Sequence, residues 1–241
     1  MTKLDRGCRI TWLGHAALRV DTPGGKVLLF DPWLTNPKAP AGALAALDRV
    51  DALLLTHGHF DHLGETLEIG RRFQPEVPCI FELHLHLQAK GLERTRPMNK
   101  GGSQVVANGI RVTMTHAVHS GGLEDADRPG QVAYGGEPCG FVVELENGFR
   151  LYFAGDTDVF GDMALIRELH APEVAVLPIG DLYTMSPRAA AAAARRLGAR
   201  HVVPVHFGTF PPLTGTPADL TRELAGSGIA VAELTPGEPW S

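Results

Sequence analysis

Six consecutive residues, His57-Gly58-His59-Phe60-Asp61-His62, include four side chains able to bind a metal ion. They directly follow the apolar run from Ala52 to Leu55, so the loop leaves the end of a buried strand. Glycine at position 58 permits a turn tight enough for His57 and His59 to face one point. Asp61 and His62 lie further round and can face a second, so one loop can serve two metals. Asp61 also has a plainer reading, as the cap of a helix starting near Gly64. Packing accounts poorly for the whole loop, because each buried imidazole would need its own hydrogen-bond partner unless a cation is shared. Imidazole and carboxylate donors without thiolate suit Zn²⁺, Mn²⁺ or Fe²⁺. The chemistry such ions bring is water activation, with the pKa of bound water falling from about 15.7 towards about 7.

Three further candidates stand where apolar runs end. His119 closes Thr115-His116-Ala117-Val118-His119, Asp156 follows Leu151-Tyr-Phe-Ala-Gly155, and His206 follows Val202-Val-Pro-Val205. Each projects from one edge of a sheet, where α/β sites lie. His116 competes with His119 for the same role. His84 and His86 have metal-like spacing but fall where a strand end leads into a helix, which puts them on the surface. His170 and His201 lack suitable neighbours and read as structural. Cys8, Cys79 and Cys139 are odd in number and scattered, so they read as small buried hydrophobes rather than as a disulfide framework or thiolate site.

The elements that must position these groups follow from periodicity and turns. Strands are expected at Arg9–Leu13, Ala17–Val20, Val27–Phe30, Ala52–Thr56, Val77–Phe81, Arg111–Thr115, Gly140–Leu145, Arg150–Ala154, Val174–Pro178 and His201–Val205. Helices are expected at Gly64–Phe73, Leu85–Lys90, Asp162–Leu169, Pro187–Leu197 and Pro217–Ala225. The fourth has Ser186 to cap it, Pro187 at its first position and Gly198 to end it. Gly24-Gly25 and Asn147-Gly148 mark hairpins, so antiparallel strands accompany the strand–helix alternation. The Gly-, Asp- and Pro-rich stretch Gly121–Gly136 reads as a long loop. Two sheets with helices outside, an α/β sandwich, satisfy this pattern.

Composition sets the outer bounds. The chain has 241 residues, 22 Lys plus Arg against 27 Asp plus Glu, a net charge of −5 and 44% hydrophobic residues. No linker interrupts it, so residues 1–241 are read as a single domain. The acidic balance and the lack of basic runs argue against nucleic acid as a partner. No apolar run approaches the roughly 18 to 20 residues of a membrane helix. The charged start Met1-Thr2-Lys3-Leu4-Asp5-Arg6 has no apolar stretch behind it, so a cytoplasmic location is expected. Homo-oligomerisation is expected only from symmetry base rates.

The His57–His62 loop, followed by His119, Asp156 in Ala-Gly-Asp-Thr157, and His206, resembles the five-motif pattern of the metallo-β-lactamase superfamily. Trp12-Leu-Gly-His-Ala16, Phe30-Asp-Pro-Trp33, Pro97-Met-Asn-Lys-Gly-Gly102, Gly136-Glu-Pro-Cys-Gly-Phe141, Leu177-Pro-Ile-Gly180 and His206-Phe-Gly-Thr-Phe210 narrow the likeness. They resemble the small bacterial and archaeal metal-dependent hydrolases (UPF0173-like) related to ascorbate-6-phosphate lactonase. The resemblance implies a four-layer αββα sandwich with two divalent metal ions at the edge between the sheets, zinc first, with manganese or iron as alternatives. It implies that His57, His59 and His119 hold one ion, that Asp61, His62 and His206 hold the other, and that Asp156 bridges them. It favours His119 over His116, leaving His116 behind the ligands. His15 and Asp31 match positions near the site, either supporting a ligand or facing substrate, and His15 joins Asp61 as a catalytic candidate. Departures occur at Phe60, where relatives often carry a small polar residue, and at Asp181-Leu182, where they carry Gly then His or Asn. Trp33, Phe60, Leu182, Phe207 and Phe210 are candidates for an apolar entrance. The expected reaction is hydrolysis of an ester or lactone of a small-molecule substrate by a hydroxide bridged between the metals. Phosphodiester cleavage in the same fold is the alternative, ahead of iron-dependent oxidoreduction and non-catalytic metal binding.

Overall fold

The computed structural model describes Leu4 and residues 6–124 and 130–241, so most of the N-terminal hexapeptide and the middle of the Gly121–Gly136 stretch lie outside the described residues. The first half runs β1 (Arg9–Trp12), β2 (Leu18–Asp21), β3 (Val27–Phe30), β4 (Ala52–Leu54), α1 (Phe60–Leu63), α2 (Thr66–Phe73), β5 (Val77–Ile80), α3 (Phe81–Ala89), β6 (Thr95–Met98) and β7 (Ser103–Val106). The second runs β8 (Ile110–His116), β9 (Gly122–Glu124), β10 (Val132–Tyr134), β11 (Cys139–Glu144), β12 (Arg150–Phe153), α4 (Met163–His170), β13 (Val174–Pro178), α5 (Pro187–Leu197), β14 (His201–Val205), α6 (Pro217–Glu223), β15 (Ala230–Val231) and β16 (Pro239–Trp240).

One sheet has the order β16-β1-β2-β3-β4, and the parallel pair β5-β6 extends it through Leu53 N–H to Glu76 O (2.9 Å). The other has the order β15-β14-β13-β12-β11-β8-β7, antiparallel up to the β11–β12 hairpin and parallel from β12 to β15. Alternate side chains of this second sheet serve two cores, because successive Cβ atoms point to opposite faces. Phe141, Val143, Leu151, Phe153 and Val176 pack against the first sheet, with Phe153 stacked on Phe30 at 4.8 Å. Val142, Tyr152, Ala175 and Leu177 pack on the other side with Ala190, Ala191, Ala194 and Leu197 of α5. The alanines let α5 approach the sheet closely, and Ser186 Oγ accepts from Ala189 N–H at its start. Ile69 of α2 and Leu83 and Leu87 of α3 cover the outside of the first sheet, which completes αββα layering.

Gly121–Gly136 is not simply a loop. β9 and β10 pair antiparallel, with Gly122 opposite Tyr134, so backbone hydrogen bonds build a ribbon where composition suggests none. β6 and β7 also escape the periodicity reading; β6 carries Pro97, which an outer parallel pair tolerates. Helix α3 begins at Phe81 rather than Leu85, so His84 lies on it half-buried, against Thr95 Oγ1 at 2.8 Å. His86 is also half-buried, so neither histidine is a plain surface residue. Among the described residues, no helix is long and apolar enough to cross a membrane.

Candidate metal centre

The chain leaves the carboxyl ends of β1, β3, β4, β8, β12 and β14 along one edge of the sandwich, and there it places His15, Asp31, the His57–His62 loop, His119, Asp156 and His206. His57, His59 and His119 bring their ligand atoms within 4.8 Å of one another, as do His15, Asp61, His62 and His206. His57, His62 and Asp156 form a third such group that joins the first two. Asp156 Oδ2 lies 3.2 Å from His62 Nε2, 3.1 Å from His206 Nε2 and 3.6 Å from His119 Nε2. His62 Nε2, His206 Nε2 and Asp156 Oδ1 are buried without a hydrogen-bond partner among the described residues. Buried ligand atoms left unpaired and converging on one point fit metal binding.

A buried carboxylate behind the cluster sets its tautomers. Asp31 accepts from Thr56 N–H (2.9 Å), from the Thr56 hydroxyl (2.6 Å) and from His62 Nδ1 (2.7 Å). Because the Thr56 hydroxyl spends its proton on Asp31, its oxygen is left to accept from His57 Nδ1 at 3.0 Å. Both imidazoles are thereby held with Nε2 turned inward. Asp31 supports ligands and is fully buried, so it does not face substrate.

His15 lies behind Asp61. Its Nε2 is 2.9 Å from Asp61 Oδ2 and its Nδ1 is 2.9 Å from Thr209 Oγ1. Burial pushes its pKa down to about 4, so at neutral pH it carries one proton. A carboxylate only accepts, which assigns that proton to Nε2 and makes the Thr209 hydroxyl the donor to Nδ1. His15 is fully buried, so the structure rules out its facing substrate.

His15, Asp31 and His206 have φ of 48°, 42° and 56°, left-handed values costly for non-glycine residues. The surroundings hold them: His206 N–H and Trp12 Nε1 both donate to the His15 carbonyl, at 2.9 and 2.8 Å. Gly58 is needed for a reason other than turn tightness. Its φ is not left-handed, but a Cβ there would stand 2.7 Å from Leu123 Cδ2 and 3.1 Å from Gly122 O, so a side chain would force the Leu123 side chain of β9 to shift. At Gly155 (φ 63°) a Cβ would stand 2.8 Å from Cys139 O, and only glycine lets β12 deliver Asp156 beside Thr56.

Other expectations are revised. Asp61 lies within α1, whose N-cap residue is His59, and its carboxylate faces His15 and His206 rather than capping a helix. His116 points away, its Nδ1 3.1 Å from Lys100 Nζ and its ring against Phe160, so it does not stand behind the ligands. Phe207 stacks on Trp12 at 5.1 Å, under Lys38, instead of lining an entrance. Phe60, Phe210, Pro212 and Tyr183 do line a cavity of about 490 Å³ whose floor holds His59, Asp61, His119, Asp156 and His206. Tyr183 was not anticipated; its neighbour Leu182 was, and the two share one exposed turn.

Charge in the cluster is strongly coupled. Burial disfavours imidazolium at His62 and His206, but the Asp156 carboxylate outweighs it, holding His62 well above the ordinary imidazole value and His206 at about 9. Asp156 is correspondingly held well below the carboxylate range, against its burial, by His206 and His62. Burial depresses His57, His59 and His119. The metal-free protein therefore carries protons on His62 and His206 at pH 7, and a cation must displace them. Calorimetric titration with Zn²⁺ in buffers of different ionisation heat is expected to release about two protons per chain at pH 7 and clearly fewer near pH 10. Equal release at both pH values contradicts this charge state.

A family model described as a beta-lactamase superfamily domain matches residues 26–207, a span that includes every cluster residue except His15. The chain is 53% identical over 231 residues to a UPF0173 metal-dependent hydrolase of Solibacter usitatus, covering 95% of this chain and 98% of the relative. It is 50% identical over 236 residues to one of Koribacter versatilis, covering 98% and 99%. Its fold matches Igni18, a metallo hydrolase from the hyperthermophilic archaeon Ignicoccus hospitalis, with TM-score 0.85 and 35% identity over 96% of this chain and 97% of that one. The chain belongs to the UPF0173 metal-dependent hydrolases of the beta-lactamase superfamily.

Proposed function

We propose that the chain hydrolyses an ester or lactone bond of a small molecule with two divalent cations, zinc before manganese or iron. His57, His59 and His119 hold one, Asp61, His62 and His206 the other, and Asp156 stands between them. The observation that carries this reading is the meeting of both imidazole groups at one Asp156 oxygen on the floor of an open cavity. Such a cation pair supplies hydroxide at neutral pH and polarises the electrophile. The chain's own residues set the rest. Asp61, with its side chain 14% exposed, lines the cavity beside Asp156, and its carboxylate, held ionised against its burial by His15 and His206, would orient the attacking water. His15 is a positioning residue: it fixes the Asp61 carboxylate through Nε2 and stays neutral at working pH.

Among the described residues lining the cavity there is no Lys or Arg to meet a phosphate, which ranks phosphodiester cleavage second. The test is elemental analysis after reconstitution, paired with turnover of p-nitrophenyl acetate, γ-butyrolactone and bis(p-nitrophenyl) phosphate. About two zinc or manganese ions per chain, with chelator-reversible turnover of an ester or lactone, supports the reading. Preferential cleavage of the phosphodiester, or turnover with one ion per chain, overturns it.

A further inference from the structure

The apolar side chains at the mouth of the cavity are unusually exposed for their size. Phe60 is 53% exposed, Tyr183 61% and Leu182 65%, and all three stand beside or on the wall over the metal centre. Trp33 braces the wall from behind, stacked on Phe210 at 5.8 Å and edge-on to Phe60 at 5.6 Å. The backbone is strained to present it. Asp181 and Leu182 occupy consecutive left-handed conformations, φ 65° and 50°, which glycine would adopt without cost. A costly turn that holds apolar side chains in solvent is explained by what those side chains meet there. The anionic members of the lining are Glu124 at the rim and Asp61 and Asp156 on the floor, with no Lys or Arg among the described lining residues.

We infer that this mouth selects substrates whose acyl arm is uncharged and apolar, with the arm lying on Phe60, Tyr183, Phe210 and Pro212 while the scissile carbonyl reaches the metal centre. The inference rests on the hydrolytic reading above and narrows its substrate class. Glu124 repels a carboxylate or phosphate on the arm, and Phe60, Phe210 and Pro212 offer such a group no hydrogen-bond donor, which leaves the Tyr183 hydroxyl alone to replace its water.

The test compares two esters of equal length that differ only at the far end, p-nitrophenyl hexanoate and mono-p-nitrophenyl adipate, on the metal-loaded protein. The expected kcat/KM favours hexanoate by about tenfold or more, on the scale of a few methylenes seated in an apolar pocket. Tyr183→Ser, and separately Leu182→Gly, lower the hexanoate-to-acetate ratio of kcat/KM, chiefly through KM. Leu182→Gly relieves a left-handed residue, so it melts no lower than the parent and its loss of selectivity is not a folding defect. Saturation-transfer NMR with 2-octanone, which the protein cannot hydrolyse, reports on the mouth independently. Its alkyl signal is expected in the parent and strongly reduced in Tyr183→Ser. If no ester is turned over yet 2-octanone binds in this Tyr183-dependent way, the reaction is wrong and the mouth stands. Equal use of hexanoate and adipate, or preference for an arm ending in a quaternary ammonium, overturns the inference.

Discussion

Asp156→Asn is expected to abolish stoichiometric binding of the proposed cation pair and to lower turnover by about 10³-fold, the scale of losing a preorganised electrostatic group. The reason is geometric, since a single Asp156 oxygen stands within 3.6 Å of imidazoles drawn from both groups. The metal-free protein makes the same case through stability. His206 has its folded pKa raised to about 9, so its contribution is fully present below the unfolded value near 6.5 and is lost as pH rises through about 9. Removing Asp156 therefore costs most at low pH, about 3–5 kcal/mol for a broken buried pair. For a chain of this length that corresponds to roughly 10 °C in Tm. Melts of chelated parent and variant are expected to differ widely at pH 6 and to converge near pH 10. An equal gap at both pH values shows that Asp156 does not pair with these histidines.

Asp31→Asn ranks next. The carboxylate accepts from three donors, and an amide placed there turns its own NH₂ against at least one of them. With the NH₂ at the Oδ2 position the Thr56 hydroxyl and His62 Nδ1 both lose their acceptor; at the Oδ1 position it opposes Thr56 N–H and shifts the residue that holds His57. Metal affinity is expected to fall about 10–100-fold, typical of losing a group that orients ligands, although Asp31 touches no cation. Competition with a chromogenic chelator measures it. Unchanged affinity, with the cluster intact by spectroscopy of the Co²⁺ form, shows that the tautomers are set elsewhere.

The parts of this site legible in the sequence are those where chemistry and spacing coincide locally. His57 to His62 declare themselves because four ligand types crowd one strand end, and the runs before His119, Asp156 and His206 announce their strands. Asp31 and His15 are isolated letters in apolar surroundings. Their roles depend on left-handed backbone and on contacts to Thr56 and Asp61, distant in sequence, which no local pattern carries. The ribbon of β9 and β10 was hidden for a related reason. Backbone pairing forms it, while its Gly-rich composition mimics a loop, so Leu123 pressing on Gly58 could not be foreseen. Tyr183 was missed because its exposure follows from the turn at Asp181 and Leu182, whose φ values contradict residue preference.

The His15 carbonyl receives hydrogen bonds from Trp12 and from the backbone of His206, joining the turn after the first strand to the end of β14. The second ligand group is thus complete only when segments distant in sequence have paired. While synthesis has yet to deliver His206, the second group lacks an imidazole and Asp61 lacks one of its neighbours, although the His57–His62 loop is long since made. A chain in which these segments have not yet paired displays the loop without its full set of partners, so the centre is a product of tertiary folding and not of the loop alone.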